Sequence, residues 1–127
     1  MSHITRIKTK MVVNAYLISA LNDLGYLVET GDAEIRGFDG ERSQVELKIA
    51  TDNPGYDIGF LKQNDTYECV ADWWGIKNID QERFLKSLLQ RYAYHAAMAE
   101  LTQQGFAVAN EETQSNGEIH LTLRRMV

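Results

Sequence analysis

Residues 80–105 constrain the fold most. No glycine or proline interrupts 81–104. Phe84, Leu85, Leu88, Leu89, Tyr92, Ala96 and Ala99 recur there at three- and four-residue steps, the period of one apolar helix stripe. Asp80 can cap the start, Ile79 and Phe84 stand where a hydrophobic staple forms, and Gly105 stops the helix. At 1.5 Å per residue such a helix is about 36 Å long. Its stripe needs a broad apolar surface to lie on, which the rest of the chain must supply.

That rest reads largely as strands. One further helix is predicted over 14–24, from Val13, Leu17, Ala20, Leu21 and Leu24, with Asn14 as cap and Gly25 as stop. Residues 3–10 alternate loosely, and the phasing of Ile4 against Ile7 predicts a bend or bulge. Tyr26 to Glu29 resumes as strand, Thr30-Gly31-Asp32 turns, and Ala33 to Phe38 pairs back. Val45, Leu47 and Ile49 alternate with polar neighbours. Tyr56 to Lys62 and Thr66 to Trp73 form a hairpin, and a last hairpin joins Phe106-Ala107-Val108 to Ile119–Leu123 across Asn116-Gly117. The expected class is α+β, one domain over 1–127. It is an antiparallel sheet of about seven strands with helices 14–24 and 81–104 on one face, the other face exposed or covered by a partner. The stretch 20–28 echoes 100–108, each a helix end, a glycine, an aromatic and a strand. It reads either as a duplicated helix–hairpin module or as ordinary helix-to-strand punctuation.

Charge and cysteine usage narrow the classes. The formal net charge is −5, with 18 acidic against 13 basic residues. Phosphate neutralisation requires the opposite balance, so a nucleic-acid partner is not expected. Arg6, Lys8 and Lys10 alternate as side chains on one strand face, which reads as a solvated edge guarded by charge. The single cysteine, Cys69, lies in an apolar strand and reads as a small buried hydrophobe. No apolar leader or membrane-length run occurs, so a cytoplasmic (or plastid stromal) protein without membrane attachment is expected.

Motifs for catalysis are sparse. His3, His95 and His120 are scattered without ligand spacing, so neither a metal nor a cofactor is expected. Arg36-Gly37-Phe38-Asp39-Gly40 lacks the lysine and the following helix of a phosphate loop and reads as a turn. Asp57 and Asp72 could meet across the central hairpin as paired carboxylates. Aromatics are concentrated instead: Tyr56, Phe60, Tyr67, Trp73 and Trp74 fall in or beside that hairpin. In an extended strand Trp73 and Trp74 point to opposite faces, so one enters the core and the other looks outward. On the long helix, Arg91 and Tyr94 stand three apart on a second face, where they can form a cation–π pair.

Gly55-Tyr56-Asp57-Ile58-Gly59-Phe60, Val70-Ala71-Asp72-Trp73-Trp74, Gln90-Arg91-Tyr92-Ala93-Tyr94 and Ser2-His3 with Ile7-Lys8-Thr9 occur together in this order. They resemble the hypothetical chloroplast reading frame thirty-five family of photosynthetic bacteria, plastids and some other bacteria. The resemblance spans essentially the whole chain and implies no particular reaction, cofactor or substrate. It implies a protein partner, a small ferredoxin-like protein being one such class. The leading expectation is therefore a non-enzymatic protein-binding, adaptor or assembly module. Its contact site would draw on Tyr56, Asp57, Phe60, Asp72, Trp73, Trp74, Arg91 and Tyr94, and would face a partner or a second copy in a homo-oligomer. The alternative is a small-ligand-binding or enzymatic domain with a cleft near Asp57, Asp72 and Arg91.

Overall fold

The computed structural model describes residues 3–126; Ser2 of the motif above lies outside them. Seven strands and two α-helices follow in the order β1 (Thr5–Lys8), α1 (Asn14–Asp23), β2 (Glu29–Arg36), β3 (Arg42–Ile49), β4 (Ile58–Gln63), β5 (Thr66–Ala71), α2 (Gln81–Gln103), β6 (Phe106–Thr113) and β7 (Ile119–Arg125). All pairings are antiparallel. The strands divide into a five-stranded sheet, order β1-β5-β4-β3-β2, and a separate β6–β7 hairpin.

Both helices lie on one face of the larger sheet, as the stripes require. Leu17, Ala20 and Leu21 of α1 and Phe84 and Leu88 of α2 are buried with Leu47, Ile49, Ile58, Phe60, Tyr67, Cys69 and Ala71. Asp80 caps α2, its carboxylate accepting the Arg83 N–H at 3.0 Å. Gly25 and Gly105 both take left-handed backbone (φ 92° and 87°) just past the helix ends, so the echo between the two junctions is a repeated local geometry. The hairpins that follow differ: β2–β3 joins the sheet, whereas β6–β7 packs on the C-terminal half of α2. No α2 residue beyond Leu88 is fully buried, and Leu89, on the N-terminal half, is already 46% exposed.

The cap of α1 differs from the expected one. Val13, not Asn14, occupies the N-cap position, and no side chain of the helix caps it. The Asn14 amide instead donates to the Tyr67 hydroxyl at 3.0 Å. Tyr92, reaching across from α2, accepts the Val12 and Val13 N–H groups at 2.9 Å each. A long-range hydroxyl thus meets the N-cap N–H and the one before it, at the entry to the helix.

The back face of the sheet is covered by the chain itself. The β2–β3 hairpin bends across it, burying Ala33, Ile35 and Val45 against Val70, with Ile4 and Leu61 at the margin. Ile4 and Ile7 therefore serve opposite faces of β1, and the expected bulge there is absent; Thr5–Lys8 pair with Ala71–Glu68 without a break. The bulge lies instead at Gly31-Asp32, where the register shifts between Thr30 and Ala33 and Gly31 has φ 96°. What reads as a turn is one bent strand. Gly59 lets the hairpin lie close, since a Cβ there would come within 2.5 Å of Val45 Cγ1 and 2.8 Å of Ile35 Cγ2.

Candidate functional site

Strand β5 ends at Ala71, and Trp73–Gly75 form a single 3₁₀ turn rather than the strand end that alternation assumed. The two tryptophans still diverge, because the turn rotates successive side chains apart. Trp73 packs on Phe84 with ring centres 6.0 Å apart and joins the main core. Trp74 is 71% exposed. The Tyr56 ring covers Gly75, where any Cβ would overlap it, and Asn53 donates to the Gly75 carbonyl at 2.6 Å.

The bent β2–β3 hairpin brings its tip to the same place. Phe38, 43% exposed, meets Trp74 edge-on with centroids 6.0 Å apart. Its backbone is held from below: Asp72, 1% exposed, accepts the Phe38 N–H at 2.9 Å. Gly37 permits this approach, since a Cβ would sit 3.0 Å from Ile4 and 3.1 Å from Asp72. Asp57, 4% exposed, is beside Asp72, because Ile58 pairs with Ala71 and the two acids are the next residues outward. Arg36 closes on Asp57 with contacts of 3.3 and 3.5 Å. The Asp57 hydrogen bond and charge hold the Arg36 guanidinium above its ordinary pKa. Two buried carboxylates, one arginine and two exposed rings thus share one corner. Asp72 anchors the Phe38 backbone, Asp57 holds the Arg36 guanidinium, and the rings face water.

The other residues singled out in the sequence fall into different places. Phe60 and Tyr67 are buried in the main core and present no surface. Arg91 and Tyr94 form a second group, about 10 Å along α2 from Phe84 at 1.5 Å per residue. Arg91 stacks over Tyr94 at 4.3 Å, the expected cation–π pair. It also pairs with Asp23 of α1 at 2.9 Å, and His95 meets the same oxygen at 2.6 Å. Partial burial pushes the Asp23 carboxyl up, but hydrogen bonds and charges from His95 and Arg91 outweigh it and leave it below its ordinary value. Tyr94 donates to Glu111 of β6 at 2.7 Å, which raises the phenol, with burial adding to the effect. This group ties α1, α2 and β6 together. Arg91 does not join Asp57 and Asp72, and the cation there is Arg36.

Phe38 and Arg36 stand in the sequence at the end of a strand and the start of a turn, a place that by itself marks no site. The available signal was a large aromatic beside Asp39-Gly40, a place where turns favour small polar residues. Among the described residues no three His, Cys, Asp or Glu side chains gather as a metal site would need, and no helix is long and apolar enough to cross a membrane.

The family described as "Protein of unknown function (DUF1257)" matches residues 20–122. Similar proteins include "Uncharacterized protein ycf35" of Cyanophora paradoxa, 34% identical over 98% of both chains, and that of Guillardia theta, 35% identical over 98% of both. That of Pyropia yezoensis is 33% identical over the same share. No solved structure matches.

Proposed function

This chain belongs to the DUF1257 family of proteins of unknown function, and on that premise we propose that it is a non-enzymatic protein-binding module, an adaptor or assembly factor, docking through the Trp74–Phe38 corner. The observation that carries this reading is Trp74, 71% exposed and held edge-on to a second exposed ring. Indole and phenyl area in water is unfavourable, and aromatic anchors beside an arginine are the usual centre of a protein interface. The corner is also pre-organised, since the buried Asp72 fixes the Phe38 backbone, so little ordering entropy remains to oppose docking. The occupant is a partner protein, with small ferredoxin-like proteins the class implied by the family resemblance. Self-association through the same corner is the competing outcome.

Trp74→Ala tests it. The exposed ring contributes little to the fold, so stability should change by less than about 0.5 kcal/mol. A lost anchor costs on the order of 2 kcal/mol of binding, about thirtyfold in affinity. Wild type and variant are compared by quantitative affinity capture from native lysate and by sedimentation velocity. The same proteins retained at the same yields, with unchanged sedimentation, would remove the corner as a docking site.

A further inference from the structure

A second surface stands apart from the aromatic corner. Strand β1 ends the five-stranded sheet, and among the described residues it pairs with β5 alone. Thr9 donates its N–H to the Tyr67 carbonyl, so odd-numbered residues of this segment turn their backbone groups toward β5. Alternation then turns the backbone groups of Ile4, Arg6 and Lys8 outward. The Ile4 N–H is taken by the Glu41 carboxylate at 2.6 Å. Among the described residues nothing outside the sheet bonds the backbone of Arg6 or Lys8. Beside this edge, between it and α2, runs a slot of about 260 Å³ lined by Ile7, Met11, Leu85 and Leu89 together with Lys8, Thr9 and Lys10.

We propose that the groove between β1 and α2 is a strand-addition site for an extended segment of a partner protein that alternates apolar and acidic side chains. An added strand would bond the outward N–H and C=O groups of Arg6 and Lys8. Its side chains would alternate between the two sheet faces. Those on the helix side enter the slot, next to Leu89, which is 46% exposed. Those on the other side lie beside the even-numbered side chains of β1. That side is the back face, because Arg6 reaches Ser43 and Glu68 there. Lys8 and Lys10 are exposed and make no ion pair among the described residues, and Lys86 lines a neighbouring hollow that shares Leu89 and has Glu118, on the β6–β7 hairpin, on its far side from β1. Among the described residues no acidic side chain lines the slot itself, although the molecule carries a net −5. Apolar floor and basic rim therefore select an acidic, apolar strand. Glu41 already places a carboxylate on the first outward N–H of the edge.

The probe is an N-acetylated, C-amidated hexapeptide alternating Val and Glu, titrated into the ¹⁵N- and methyl-labelled full chain and followed by NMR. The largest amide shifts should fall at Arg6 and Lys8, and methyl shifts at Leu85 and Leu89. Two controls use the wild-type chain: the same peptide N-methylated at alternate residues, which cannot complete the ladder, and a Val/Lys peptide of opposite charge. Both should lose binding. Lys8→Glu with Lys10→Glu should weaken the Val/Glu peptide about three- to tenfold, since each rim pair contributes a fraction of a kcal/mol. No shifts up to about 1 mM peptide, shifts centred away from β1, or equal binding of either control peptide would overturn the assignment. Trp74→Ala should leave this titration unchanged, so failure here and failure at the aromatic corner are separately visible.

Discussion

Single side chains carry more of the tertiary structure than their positions in sequence indicate. Tyr92 belongs to the apolar stripe of α2, yet its hydroxyl accepts two N–H groups at the start of α1. Tyr92→Phe keeps the ring packing against Tyr16 (centroids 5.9 Å apart) and deletes only the acceptor. It should cost about 1–3 kcal/mol in denaturant unfolding, the penalty for donors left unsatisfied; no measurable loss would show that water replaces the hydroxyl. Asp23 gives a pH test. Its folded carboxyl lies below the ordinary 3.8 because His95 and Arg91 outweigh the partial burial. A depressed folded pKa adds stability above the unfolded value and loses it as pH falls through the folded one. Asp23→Asn should therefore melt below wild type at neutral pH, with the gap closing below pH 3.8. A gap that is constant across this range would mean that the Asp23 charge contributes nothing.

Among the elements, the helices were legible and the hairpins only partly so. The expected 81–104 became Gln81–Gln103 and the expected 14–24 became Asn14–Asp23, because three- and four-residue periodicity and glycine stops are local signals. Strand existence was also local, but strand course was not. Thr30-Gly31-Asp32 has turn composition, and whether such a glycine makes a turn or a bulge depends on the strand lying beside it. Here β3 runs past both halves of β2 and keeps them one element. That bend lays the hairpin on β4 at Gly59. Gly59→Ala should destabilise by about 1–3 kcal/mol through overpacking against Val45 and Ile35, both β-branched and buried. A chemical-denaturation midpoint equal to wild type would mean that the hairpin moves away freely.

At the scale of the whole molecule, charge decides what the surface will not do. With a net −5, duplex DNA or RNA should bind no tighter than roughly 10 micromolar at physiological salt. A submicromolar affinity that falls steeply with added salt and disappears on Lys8→Glu would contradict this. The α+β class, both helices on one face and the outward tryptophan followed from the residues themselves, since amphipathic periods must bury one side and adjacent indoles cannot share one direction. Which tryptophan faces outward did not follow, nor did the partners of the buried acids. Alternation along an extended strand predicted the divergence of Trp73 and Trp74, whereas a 3₁₀ turn produces it. The sequence by itself determined the two helices, their ends at Asp80, Gly25 and Gly105, and the alternating cations Arg6 and Lys8 of β1. Only the tertiary structure decided that Phe38 meets Trp74, that Arg36 rather than Arg91 neutralises Asp57, and that β1 keeps a free edge beside α2. These depend on how far one hairpin bends over a sheet, and that bend is set by contacts between residues far apart in the chain.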